Sequence, residues 1–138
     1  MIGIDLSEQE TRHANKRVTE RGLNAHFMVC DMENMTSIIP DNSIDVIISN
    51  GAFCLAPNKE RAFRELFRVL KPGGRISVCT TTTKDQNLEP GVNWPLCMKM
   101  FIAKSELQPM CEKLGFTDIL IDESNSSMSM EIPEELAA

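Results

Sequence analysis

Two carboxylates occupy matching places early in the chain. Asp5 ends the apolar run "MIGID", and Asp31 ends "HFMVCD". An ionised carboxylate only accepts hydrogen bonds, so one such acid can chelate the two hydroxyls of a ribose while the other accepts from an adenine amine. In a doubly wound sheet, ligands bind beyond the carboxyl ends of the strands, which is where both acids fall if each run is a strand. Either acid alone also reads as a turn or helix-cap residue, and it is their shared register that raises the pair above that. A further candidate is "ISNGAF", where Asn50 and Gly51 stand at the point the chain must turn over a sheet. Glycine there lets the backbone approach a ligand closely, although a plain strand-to-loop turn accounts for it as well.

The elements that would position these residues follow from periodicity. Ile2–Leu6 reads as a buried strand. Ser7 with Glu10 forms a capping box opening a mostly polar helix, with Gly22 as its stop. His26–Asp31 is a second strand, and Ile44–Ser49 a third whose continuous apolar run predicts burial on both faces, as in a parallel sheet. In "NKERAFRELFRVL" the residues Ala62, Phe63, Leu66, Phe67 and Leu70 fall at helical spacing, predicting an amphipathic helix ended by Lys71-Pro72-Gly73-Gly74. Arg75–Thr81 is a fourth strand, rich in Val, Ile and Thr. Residues 84–101 read as a long loop or lid. Ser105 with Gln108 caps a further helix running to Gly115, and Asp118–Asp122 with roughly Met128–Ile132 read as a C-terminal strand pair. This order predicts an α/β sheet with helices on both faces, in one domain over residues 1–138.

Composition narrows the function classes. A net charge of −6 over 138 residues argues against a nucleic-acid binder, which would show a basic face. With no Tyr and one Trp, stacking platforms for bases are also missing. No apolar run approaches the roughly 18–20 residues of a membrane span, and the first residues lack a secretory pattern. The five cysteines, at 30, 54, 79, 97 and 111, have no CxxC pair. They fit reduced thiols of a cytoplasmic protein better than a disulfide framework or a zinc site, so no metal is predicted. Cys30, Cys79 and Cys111 read as core residues. His13 on a polar helix and His26 at a strand start are poorly placed for catalysis.

The strings "IGIDLS", "CDMENM", "IDVIISN" and "RELFRVLKPGGRISV", in this order, resemble the class I S-adenosylmethionine-dependent methyltransferases. The likeness runs from Ile2 to about Ile132, and "RVLKPGG" is its most specific part. The nearest subgroup includes quinone-biosynthesis C-methyltransferases and arsenite methyltransferases. The resemblance implies a Rossmann-like, doubly wound, mostly parallel sheet with an antiparallel C-terminal hairpin, and S-adenosylmethionine as cofactor. It implies that Asp5 holds the ribose hydroxyls with Leu6 packed beside the adenine. Asp31 would accept from the adenine amine with Met32 on the ring face, and Asn50 and Gly51 would line the methyl-donor pocket. Arsenite enzymes hold trivalent arsenic through thiolates, since soft ligands suit a soft centre. By that likeness Cys97 falls at a lid position and Cys54 three residues beyond the turn position, which Gly51 fills. Both cysteines also read as small buried hydrophobes.

Two departures from the family pattern shape the expectations. The first strand, the GxGxG loop and the first helix have no counterpart ahead of Ile2, so the domain is expected to be N-terminally truncated, with a central strand missing. "SNGAF" also lacks the Asn-Pro-Pro-aromatic turn of methylases that act on bases and glutamine. The expected activity is methyl transfer to a small molecule, by positioning and exclusion of water rather than acid–base catalysis; no catalytic acid or base is assigned. Three alternatives stand beside it. One is a non-catalytic remnant that dimerises or binds a partner through exposed sheet edges. Another is thiol or arsenic chemistry, and the last a nicotinamide-linked dehydrogenase using Asp5 on its ribose.

Overall fold

Ser7 opens the first helix as its spacing to Glu10 predicts: its Oγ accepts from the Glu10 N–H at 3.2 Å. In the computed structural model, which describes residues 1–84, 93 and 96–122, the elements run β1 (Ile2–Asp5), α1 (Glu8–Glu20), β2 (His26–Val29), β3 (Ile44–Asn50), a 3-10 turn (Phe53–Leu55), α2 (Lys59–Val69), β4 (Leu70–Cys79), α3 (Leu96–Lys99) and α4 (Lys104–Leu114). Two compact units emerge, each drawn from two segments. Met1–Ile47 joins Arg61–Arg75, and Ile48–Glu60 joins the described residues from Ile76 onward.

In the first unit β1 and β2 pair in parallel, from Ile2 opposite His26 to Asp5 opposite Val29. Helix α1 is tied to this pair by one side chain. The Asn15 amide donates to the Phe27 carbonyl at 2.7 Å and accepts from the Phe27 N–H at 2.8 Å, so it satisfies both backbone groups that an edge strand leaves open at that residue. The core of this unit is the inner face of α2. Ala62, Phe63, Leu66 and Val69 are buried, together with Leu70, Met35 and Ile39. Phe67, predicted inward, is 44% exposed; the inward row runs 62, 63, 66 and 69, which leaves residue 67 on the flank. A partly buried polar cluster locks the irregular 31–42 stretch onto α2. The Glu65 carboxylate accepts from the Met35 N–H at 2.6 Å and from Arg68 at 2.8 and 2.9 Å, and Arg68 also donates to the Ile39 carbonyl and to Asp41.

Strands β3 and β4 form a separate two-stranded sheet, and each of the four strands has one neighbour among the described residues. They run in the same direction. The Ser43 N–H donates to the Val69 carbonyl at their entries, and the Gly51 N–H to the Cys79 carbonyl at their exits. Between these ties β4 is two residues longer than β3. Gly73, at φ +78°, stands in that stretch, a conformation that costs a residue with a Cβ about 1–2 kcal/mol. The Lys-Pro-Gly-Gly segment is therefore a bulged part of the strand, whereas the sequence reading places it before the strand.

Other expectations are corrected. Strand β3 is not buried on both faces: Val46 is 62% and Ile48 78% exposed, because a strand in a two-stranded sheet has little to cover its second face. In the second unit α4 begins at Lys104 with Ala103 as its N-cap and no side-chain cap bond. Ser105 cannot serve as the cap because Thr83 fixes the chain earlier, through a bridge to Ala103 and a 2.9 Å bond from the Lys104 N–H to its carbonyl. Gln108 pairs with Glu112 instead, at 2.8 Å, while Gly115 ends the helix at φ +105° as expected. Asp118–Asp122 is not a strand. Met128–Ile132, expected to pair with it, lies outside the described residues. Helix α3 falls within the expected loop, the remainder of which lies largely outside the described residues.

Candidate functional site

At the carboxyl ends of β1 and β2 the two acids adopt the same local geometry. Asp5 Oδ1 accepts from the Ser7 N–H at 2.8 Å, and Asp31 Oδ1 accepts from the Glu33 N–H at 2.9 Å. Each is an Asx turn in which the side chain mimics a backbone carbonyl and bends the chain away from the strand. The Cys30 N–H donates to the Asp5 carbonyl at 2.9 Å, carrying the pairing one residue past β2 and setting Asp31 next in line. The turn uses one oxygen of each carboxylate. The other oxygen has no hydrogen-bond partner among the described residues, and both residues are exposed. Leu6 stands beside Asp5 with 69% of its surface exposed, and Met32 beside Asp31 is half-buried. An apolar contact next to a free acceptor thus recurs at both strand ends.

In the second unit the end of β3 lines an open groove of about 380 Å³, bounded by Ile48, Ser49, Asn50, Ser77 and Cys79. Asn50 is exposed there, and Gly51 follows at φ +73°, which only glycine adopts without strain. Cys54, 8% exposed, points its thiol at the Gly51 carbonyl at 3.2 Å. Cys97 is exposed on α3. No cluster of three His, Cys, Asp or Glu side chains among the described residues could hold a metal ion.

The four cofactor candidates at Asp5, Leu6, Asp31 and Met32 are thus grouped in one unit, and Asn50, Gly51, Cys54 and Cys97 all lie in the other. Sequence reasoning misjudged Cys79, read as core but exposed on the groove wall. The signal was available: in "RISVC" the polar residues Arg75 and Ser77 define an outward face, and residue 79 shares it. The reading also missed Lys59, whose buried ammonium donates to the Cys54 and Ala56 carbonyls. Nothing in its spacing marks it. Cys30 and Cys111 are buried as expected. Desolvation, with Asp31 and Glu65 nearby, raises the Cys30 thiol above its ordinary value, and burial pushes Cys111 up to about 11.

Residues 1–115 match a family model described as a methyltransferase domain. The chain belongs to the class I S-adenosylmethionine-dependent methyltransferases. It is 28% identical over 138 residues to an arsenite methyltransferase of Halobacterium salinarum, covering 94% of this chain and 34% of that protein. A ubiquinone/menaquinone biosynthesis C-methyltransferase of Hydrogenovibrio crunogenus is 33% identical over 80 residues, 56% of this chain and 31% of that one. The methyltransferase chain therefore spans about a third of the length of these curated relatives. An arsenic(III) S-adenosylmethionine methyltransferase of Chlamydomonas reinhardtii superposes with a TM-score of 0.75 over 85% of this chain and 43% of that one. At 24% identity that likeness speaks to the fold. The cofactor of the family is S-adenosylmethionine, and the donor set fits its adenosine end: carboxylate oxygens able to accept from hydroxyls and an amine, each with an apolar neighbour.

Proposed function

We propose that this methyltransferase domain transfers the methyl group of S-adenosylmethionine to a small-molecule nucleophile. The observation that carries the reading is the pair of strand-end acids, each with one oxygen committed to its turn and one left for a ligand. When bound, the cofactor supplies an activated methyl group on a sulfonium centre. Asp5 accepts from the ribose hydroxyls and Asp31 from the adenine amine, while Leu6 and Met32 pack against the base. Asn50 and Gly51 line the methyl-donor side. Catalysis in this reading consists of alignment and exclusion of water. Five unpaired thiols support a reducing, cytoplasmic setting, and the acidic balance of the chain disfavours a nucleic-acid substrate.

Calorimetric titration of the whole chain with S-adenosylmethionine and S-adenosylhomocysteine tests this. Micromolar binding is expected, with Asp5→Ala and Asp31→Ala each weakening it by about 10- to 100-fold, the worth of a charge-assisted hydrogen bond. A folded chain that binds neither compound overturns the proposal. It would favour a second reading, association through exposed sheet surface without catalysis, which the exposed Val46 and Ile48 support. Arsenic as acceptor rests on the exposure of Cys97 and the likeness to arsenite methyltransferases. Titration with arsenite, with Cys97→Ser and Cys54→Ser alongside, decides that version: unchanged or absent binding removes it.

A further inference from the structure

The turn after β3 carries a chain of hydrogen bonds that links the end of one strand to the first residue of the next helix. The Gly51 N–H donates to the Cys79 carbonyl at 2.9 Å, and the Gly51 carbonyl accepts from the Cys54 thiol at 3.2 Å. The Cys54 carbonyl in turn accepts from Lys59 Nζ at 3.1 Å, and the same ammonium donates to the Ala56 carbonyl. Between these links the Leu55 and Ala56 N–H groups close the 3-10 turn onto Ala52 and Phe53. The backbone carbonyls of residues 51, 54 and 56 are thereby each engaged by a side chain of the turn itself or of the helix that follows it.

Lys59 is an unexpected choice for such a role. A lysine ordinarily runs its stem along the surface and keeps its ammonium in water, yet this one is 9% exposed. It is also the first residue of α2, where the helix dipole disfavours a cation. Burial and position both cost stability, and the carbonyls it engages offset that cost by satisfying the charge. Cys54 belongs to the same arrangement, with a buried thiol that serves as a hydrogen-bond donor. We propose that Lys59 and Cys54 are positioning residues, which together clamp the 50–56 turn so that Asn50 and the Gly51 peptide are held rigid toward the groove. The proposal rests on the reading in which that turn lines the methyl-donor side of the cofactor.

Backbone amide exchange in the whole chain tests the clamp without any ligand. In Cys54→Ala, the amides of Gly51, Leu55 and Ala56 should exchange about tenfold faster, the effect of one lost hydrogen bond. Cys54→Ser keeps a donor and should exchange like the parent. Lys59→Met should accelerate the same amides by tenfold or more, while those of α1 stay unchanged in all variants. Parent-like exchange of the turn in Cys54→Ala, or equal acceleration in α1, would overturn the clamp. If Lys59→Met does not fold, the Ala and Ser pair at position 54 decides alone.

The second arm compares S-adenosylhomocysteine with 5′-methylthioadenosine, which lacks the amino-acid part. Cys54→Ala and Lys59→Met should bind the first about tenfold more weakly and the second as the parent does, a split that general destabilisation would not produce. Faster exchange with both affinities unchanged would overturn the positioning role. A parent chain that binds neither compound refutes the methyltransferase reading, whereas the exchange arm still judges the clamp.

Discussion

Asp5 and Asp31 show how one residue type can serve the fold and a ligand together. A carboxylate has two oxygens, and an Asx turn consumes only one. The turn-residue reading and the ligand reading therefore do not compete, and the turn fixes the direction in which the second oxygen points. The cysteines separate by environment in the same way. Cys79 and Cys97 are exposed, while Cys30, Cys54 and Cys111 are buried, two of them with thiols raised above their ordinary values. The thiolate is the reactive form, so burial suppresses reaction twice, through access and through ionisation. Alkylation with iodoacetamide at pH 8 followed by peptide mapping should label Cys79 and Cys97 within minutes and leave the other three protected until the chain unfolds. Rapid labelling of Cys111 would contradict its placement.

At the scale of elements, α2 organises the first unit through both of its faces. Its apolar row seals over Met35 and Ile39, and its polar flank places Glu65 and Arg68 where they fasten the 31–42 stretch. The Arg68 hydrogen bond, aided by the Met35 N–H and partly opposed by burial, holds the Glu65 carboxyl below its ordinary value of 4.5. Because that value is depressed in the folded state, the stabilisation is fully present above about pH 4.5 and is lost as pH falls through the folded value. Glu65→Gln should cost about 1.5–3 kcal/mol at pH 7 through loss of charge-assisted hydrogen bonds. It should also flatten the fall in stability as pH drops below about 4.5, measured by urea titration at each pH. An unchanged acid slope would remove Glu65 as its source. The amphipathic pattern of α2 was legible from spacing alone. The cluster was not, because Glu65 and Arg68 look like surface charges until residues some thirty positions away fold against them.

For the whole molecule, strand pairing sets the behaviour. Each strand has one neighbour among the described residues, and β3 leaves Val46 and Ile48 open to water. Exposed apolar strand surface with unpaired edges favours association. Sedimentation velocity over a range of concentrations should show self-association that Ile48→Lys weakens; a monomer at all concentrations, unaffected by the substitution, would remove the dimer proposal. The α/β class and the order of the four strands with the helices α1, α2 and α4 were readable, since they depend on apolar periodicity and local stop signals that any chain carries in its own sequence. The C-terminal strand expected at 118–122 was misread for the opposite reason. Strand pairing is a long-range property, which apolar alternation along the chain does not encode.

By itself the sequence determined what depends on neighbours along the chain: the Ser7 cap, the inward positions 62, 63 and 66 of α2, and the acids that end two strands and turn the backbone after them. Only the tertiary structure decided which groups meet across long separations. It closed Phe27 with Asn15, set Glu65 against the Met35 N–H, turned Cys79 outward, and drew Lys59 back over the Gly51–Ala56 turn. The physical reason is the range of the forces involved. Capping and helical periodicity act within one turn of chain, so residue spacing encodes them. Burial and hydrogen-bond satisfaction are instead properties of whatever surface arrives opposite, which spacing does not record.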